Sequence, residues 1–290
     1  MAKPYSGPPP ILVGYDASDD ADRALEYAAG LAAVTKTMLQ LVFVADDTVV
    51  NSAWGVVFDG SDVQAAARRL LSAAASKANA LGVAKKRIRT KVAIGTPVGV
   101  LTQLSQDCLV VVVGRRAHSG HSRQFSGSTA VGLAASVRCP LVVVADSGSY
   151  DPEGPIGVAL DAGGAGTAAL DWVLSNPMHA AGPVRVVSVC RAPQSRIFRS
   201  AVTTQQIDAA IAETVSTQAT LVSRIAARYP DAPPIATEVR YGSPVDELAS
   251  LSGTLSVLVL EAGVRFPTYS VGSVVRGVMA HADCPVVLVK

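Results

Sequence analysis

The stretch Ile11-Leu12-Val13-Gly14-Tyr15-Asp16 returns in altered form as Ile156-Gly157-Val158-Ala159-Leu160-Asp161, 145 positions later. Gly127-Ser128 returns as Gly272-Ser273 at the same offset. So does Cys139-Pro140-Leu141-Val142-Val143-Val144, as Cys284-Pro285-Val286-Val287-Leu288-Val289. Gly95-Thr96-Pro97 returns as Gly242-Ser243-Pro244, at an offset of 147. Four anchors in one order at nearly one spacing mark a duplicated domain. Every functional reading of one copy can therefore be checked against the other.

The 290 residues accommodate two domains, each large enough to bury a core without staples. Charged residues make up 17% and apolar ones 49% of the chain, a globular balance. A net charge of +2 does not favour nucleic acid, whose phosphates need a basic stripe. No apolar run approaches the ~20 residues that span a bilayer, so no membrane partner is expected. Residues 1–10 hold three consecutive prolines and no apolar segment, unlike a signal peptide, and the expected compartment is the cytoplasm. Cys108, Cys139, Cys190 and Cys284 lie too far apart for a zinc knuckle, and no metal site is expected. Cys139 and Cys284 precede matching strands and read as inert core thiols.

Five nearly all-apolar segments mark the strands of the first copy: 11–15, 38–44, 88–94, 108–113 and 141–145. A run such as Leu109-Val110-Val111-Val112-Val113 does not alternate, as expected for a parallel strand covered on both faces. Between them, Ala-rich stretches at 19–35 and 61–82 keep helical spacing. A short helix follows Thr96-Pro97, with Thr as cap and Pro in the first turn. Another runs from Ser128 to about Arg138, stopped by Cys139-Pro140. The second copy repeats the pattern, with strands at 156–161, 184–190, 235–241, 255–260 and 285–289. Its helices fall at about 165–175, 204–228, 244–251 and 273–281, with Ser243 to Asp246 resembling a capping box. Alternation of this kind gives an α/β fold, two tandem doubly wound parallel sheets. The domains are expected at 1–146 and 156–290, joined by a Ser/Gly/Asp/Pro-rich linker at 147–155. Segments 46–60 and 191–203 follow the second strand of each copy. They read either as flaps packing their own aromatics or as lids and docking surfaces.

Ligands of doubly wound sheets bind past the carboxyl ends of the strands, where strand order reverses. The first strand ends in Asp16-Ala17-Ser18 and the fourth in Gly114-Arg115-Arg116-Ala117. A later helix opens with Gly127-Ser128-Thr129. Asp16 can accept from a ligand amine or hydroxyl, Gly114 lets a ligand approach the backbone, and the helix N-terminus offers N–H groups to an anion. Arg115, Arg116, His118, His121 and Arg123 are basic residues suited to a polyphosphate. Each has a plainer reading: Asp as helix cap, arginines as solvated loop residues, Ser128-Thr129 as an ordinary cap. Only the combination points to a site. No phosphate-loop, dinucleotide or nucleophile-elbow motif competes, and no catalytic residue is singled out.

The spacing Gly114-x2-Ala117-x9-Gly127-Ser128 resembles the signature of the universal stress proteins, Gly-x2-Gly-x9-Gly-Ser/Thr. The opening strand through Ser18, Gly95-x-Pro97 and the closing Cys139-Pro140 are similar as well. The resemblance covers the whole chain as a tandem pair. It implies five-stranded sheets of order 3-2-1-4-5 and ATP, with Mg²⁺, at the switch point. By the family pattern Asp16 with Ala17 and the Val44 backbone would hold the adenosine. Gly114, Arg116, Ala117, Gly127, Ser128, Thr129 and Ala130 would line the ribose and phosphates. Ala117 replaces the usual Gly, and Ala130 stands where a hydroxyl residue often does. In the second copy Asp161, Val189, Gly272 and Ser273 keep their places, but Glu261 replaces Gly114 and the loop is two residues shorter. A carboxylate there repels phosphates, so ATP is expected in the first copy and weakly or not at all in the second.

The reading is an ATP-binding stress-response protein that acts through conformation or an unidentified protein partner. It is expected to dimerise through edge strands at 141–145 or 285–289. The alternatives are a nucleotide-free interaction scaffold and a slow ATPase or autophosphorylating enzyme.

Overall fold

The structure is a computed structural model, and it describes residues 8–46, 60–116, 128–144, 151–176, 182–191, 203–265 and 270–290. The chain divides into two compact units. The first is Met1–Tyr150 with Val264–Val271, and the second is Asp151–Gly263 with Gly272–Lys290.

In the first unit, β1 (Ile11–Gly14), β2 (Leu39–Ala45), β3 (Ile88–Ile94), β4 (Val110–Gly114) and β5 (Leu141–Val144) alternate with helices. The helices are α1 (Asp19–Thr35), α2 (Gly60–Ala80), α3 (Pro97–Leu104) and α4 (Ser128–Ser136). The strands pair in parallel in the order β3-β2-β1-β4-β5. Val13 sits between Leu41 and Val112 in register. β1, β4 and β5 are buried almost throughout, which is why their sequences do not alternate.

The second unit follows the same plan. Its helices are α5 (Thr167–Ser175), α6 (Thr204–Ala226), α7 (Pro244–Ser252) and α8 (Ser273–His281). Its strands are β6 (Ile156–Ala159), β7 (Val184–Cys190), β8 (Ile235–Tyr241), β9 (Val257–Glu261) and, after a hairpin, β12 (Val286–Val289). The parallel order is β8-β7-β6-β9-β12, the 3-2-1-4-5 arrangement again. The hairpin of β10 (Val264–Arg265) and β11 (Ser270–Val271) is antiparallel and groups with the first unit, a feature without a signal in the pattern. The segments read as flaps or lids lie, apart from their ends, outside the described residues, as do residues 147–150 of the linker.

The duplicated sequence markers prove to be duplicated packing devices. Gly95 and Gly242 take φ of +137° and +154°, a region that favours glycine, and each turns its chain into the next helix. Gly132 in α4 and Gly277 in α8 are also 145 apart. A Cβ on Gly132 would meet Val98 of α3 at 2.7 Å, and one on Gly277 would meet Val245 of α7 at 2.6 Å. Fully buried Ser105 and Ser252 each return a hydroxyl to their own helix, at 2.7 Å to Thr102 O and 2.6 Å to Ala249 O. Each also accepts from the backbone before the last strand, Arg138 N at 3.5 Å and Asp283 N at 2.8 Å.

Two expectations need correction. Thr96 does cap α3, accepting from Gly99 N at 3.3 Å, but Ser243 makes no side-chain cap on α7. Proline stands at the first helical position of both helices, so it does not account for the difference. The capping box lies elsewhere, at Thr203 and Gln206 of α6. Of the two thiols read as core, Cys284 is buried and pushed up to about 12 by that burial, whereas Cys139 is only half-buried.

Val is stiff at χ1, so it yields little to an added methyl. At an ordinary helical site Gly→Ala raises stability by about 1 kcal/mol. Gly132→Ala and Gly277→Ala should instead lower it by about 1–3 kcal/mol, read by urea titration. A gain at either position would refute the glycine contact. Native Cys284 should also resist iodoacetamide at pH 8, since the thiolate is the nucleophile. Rapid labelling in the folded protein would contradict its burial.

Candidate functional site

β1 delivers the chain to Tyr15 and Asp16 at the carboxyl end of the first sheet. Ala17 then takes a left-handed φ of 62°, uncommon for a residue with a Cβ. The turn is held from both sides. Asp16 Oδ1 accepts from the Ser18 backbone N at 3.0 Å and from Ser18 Oγ at 2.6 Å. Ser18 Oγ in turn accepts from Ala21 N at 3.1 Å and caps α1. The helix cap is thus Ser18, and Asp16 braces the cap. Tyr15 donates its hydroxyl to Asp22 at 2.8 Å. Burial, and then that bond, raise the phenol above its ordinary range.

Beside this turn lies a cavity of about 110 Å³. Of the residues singled out in sequence, Asp16, Val44, Gly114, Arg115, Arg116, Thr129 and Ala130 line it, while His118, His121 and Arg123 lie outside the described residues. Ala17 and Ser128 flank it without lining it, and Ala117 and Gly127 lie outside the described residues. Tyr15, Val42, Pro97, Leu101 and Val113 also line it. Val42 lies two residues before Val44 and Val113 one before Gly114, and a fuller reading of strand ends would have found them. The N-terminus of α4, with its unpaired N–H groups, opens at Ser128 and Thr129.

Gly114 and Arg116 have a role that the ligand reading did not foresee. A Cβ on Gly114 would lie 2.6–2.7 Å from the carbonyl and Cβ of Asp20. The space beside this glycine is taken by the first turn of α1. Asp20, buried in that turn, accepts from the Arg116 backbone N at 2.9 Å, from its Nε at 3.1 Å and from a terminal nitrogen at 3.2 Å. Arg23 adds a further contact at 2.8 Å. Burial alone would raise the Asp20 carboxyl, but the Arg116 hydrogen bonds and charge, with Arg23, outweigh it and hold it below the ordinary carboxylate range. The guanidinium expected at a phosphate is therefore engaged in anchoring α1 to β4.

In the second unit Asp161 repeats the brace, accepting from Gly163 N at 2.8 Å. α5 starts later, after Gly166 at φ 96°, with no side-chain cap from that residue. Glu261, at the place of Gly114, fills the role by accepting from Ala168 N at 3.0 Å. Val189 is half-buried near the end of β7, and Gly272 and Ser273 open α8. The second site thus carries its own anion, tied to a helix N-terminus. Among the described residues no group of three or more His, Cys, Asp or Glu could hold a metal ion, and no helix is long and apolar enough to cross a membrane.

The model of the universal stress protein family matches residues 9–145 and again 154–290. Universal stress protein Rv3134c of Mycobacterium tuberculosis is 34% identical over 134 residues, 46% of this chain and 47% of that one. That match spans about half the relative's length. Universal stress protein Rv2005c of the same species is 23% identical over 305 residues, covering 97% of this chain and 96% of its own. Among solved structures, a universal stress protein from Archaeoglobus fulgidus is 18% identical, with a TM-score of 0.66, covering 97% of this chain and 96% of that one. At that identity the likeness is one of fold.

The Asp20 carboxyl is lowered in the folded protein. Its stabilisation is complete above the unfolded carboxylate range and is lost as pH falls through the lower folded value. Arg116→Met should cost about 2 kcal/mol at neutral pH and flatten the fall in stability below about pH 4. Denaturant titrations across pH 2–7 test this. A variant with the wild-type acid slope would remove Arg116 as the cause.

Proposed function

The chain belongs to the universal stress protein family, and from that premise we propose that its first unit binds ATP as a regulatory ligand. The observation that supports the reading most is convergence: Asp16 after β1, Val44 of β2, and Thr129 and Ala130 of α4, from three separate elements, line one cavity at the strand carboxyl ends. Asp16 presents a carboxylate, an acceptor for a ribose or amine donor. The Val44 backbone lies where an adenine edge would be read. The first turn of α4 supplies N–H groups and a positive dipole end for phosphate oxygens. Mg²⁺ would enter as the nucleotide's own phosphate complex. Arg116 serves the site indirectly, by fixing the start of α1 and so the Asp16 turn. Among the described lining residues no nucleophile is paired with a general base, and the nucleotide is read as a ligand that biases conformation or partner contacts rather than as a substrate turned over fast.

The second unit is read as a poor nucleotide site. Glu261 places a carboxylate at the strand end, bonded to the α5 N-terminus, and an incoming phosphate meets like charge.

Titration calorimetry with Mg-ATP should show about one site per chain, with affinity cut at least about tenfold in Asp16→Ala. Absence of binding to the folded wild type would leave the interaction-scaffold reading. Two comparably filled sites would overturn the asymmetry.

A further inference from the structure

A further groove in the first unit lies along its outer strand, β3. It has a volume of about 930 Å³ and runs between β3 and one face of α2. Ile88, Thr90, Val92 and Ile94, alternate residues of β3, turn into it and form its more apolar wall, while the α2 side mixes Leu71 and Ala75 with polar Gln64, Ser72, Ser76 and Asn79. Ile94 is 63% exposed. Arg68 and Lys85 stand at its margins. β3 ends the strand order and pairs with β2. Gly95 N–H donates to Ala45 O at 3.0 Å. By strand alternation the peptide groups of Thr90 and Val92 then face away from β2, along the open edge.

The charge here is far from the chain average. Residues 60–94 carry eight Lys or Arg against Asp62 alone, while the whole chain is only +2. Five of the basic residues fall within 85–91 (Lys85, Lys86, Arg87, Arg89 and Lys91). The balanced total conceals a basic stripe. The matching edge of the second unit differs: on β8, Glu238 and Arg240 pair at 2.6 Å, and Arg240 reaches Glu247 at 3.5 Å.

We infer that β3 is a docking edge for an extended acidic segment of a partner protein, which adds as a further strand. The outward peptide groups supply the ladder. Side chains on one face of the added strand would lie over the apolar wall of the groove. Those on the other would meet the side of β3 that carries Arg89 and Lys91. The recognised pattern is therefore apolar and acidic residues in alternation. Lysines on an open edge keep identical edges apart, and opposite charge converts the same guard into selection. Nucleic acid fits less well, because none of the groove's lining residues is aromatic and bases would lack a stacking platform.

The test is fluorescence anisotropy with a short labelled peptide alternating Val and Glu. Its comparators are a peptide of the same composition in two blocks and a single-stranded oligodeoxynucleotide of equal charge. The alternating peptide should bind at least about tenfold more tightly than either. Thr90→Pro, which removes one outward donor, and the double change Lys85→Glu with Lys91→Glu should each weaken it at least about tenfold. In the wild type the peptide should slow hydrogen exchange at the Thr90 and Val92 amides, a readout that needs no variant. No binding, equal binding of the block peptide, unchanged exchange at these amides, or tighter binding of the oligonucleotide would each overturn the proposal.

Discussion

The first unit depends on one close approach. The backbone of Asp20 lies against Gly114, where no Cβ fits, and the Asp20 carboxylate is gripped by Arg116 and Arg23. A buried carboxylate without those partners would be costly, so the helix can start at only one place relative to β4. That start fixes Ser18 as cap, the left-handed Ala17 and the Asp16 brace. The cavity wall follows from a salt bridge whose arginine is itself part of the lining. Fold and site are joined at this point, because loss of Arg116 would loosen both.

The second unit meets the same problem in another way. Its helix starts later, after a glycine-rich turn, and its strand ends in Glu261 instead of glycine. The longer turn leaves an uncapped helix N-terminus, and the carboxylate fills the vacancy at 3.0 Å from Ala168 N. Two substitutions that look like decay in sequence are complementary in structure. Each would be unfavourable alone: a carboxylate without a donor, or a helix end without an acceptor. Together they stabilise the unit while placing a carboxylate at the carboxyl end of its fourth strand.

Much of the fold was legible because buried parallel strands cannot alternate and helices here are Ala-rich with clear breakers. The strand order came from the family resemblance, and the register pairs agree with it. What escaped was tertiary. Nothing local in Arg116 tells a phosphate ligand from a partner of Asp20, 96 positions away. Ser243 looks like a cap by spacing, yet its hydroxyl makes none. Gly132 and Gly277 read as weak helix residues until Val98 and Val245 appear against them. The basic edge was missed for a different reason: the chain total averages a positive flank against an acidic remainder.

The two copies separate what the fold requires from what one copy alone retains. Gly95 and Gly242, Gly132 and Gly277, and Ser105 and Ser252 do the same work in both units. None of them lines the cavity at the strand carboxyl ends. Differences that change charge stand at the end of the fourth strand, where Glu261 replaces Gly114, and on the outer edge beside the third, where Glu238 and Arg240 pair. A change of charge at such positions alters what each unit attracts, which a change of packing in the core does not. The duplicated scaffold is held by glycine contacts and buried serines, and the surfaces those contacts leave unused are where the two halves became different proteins.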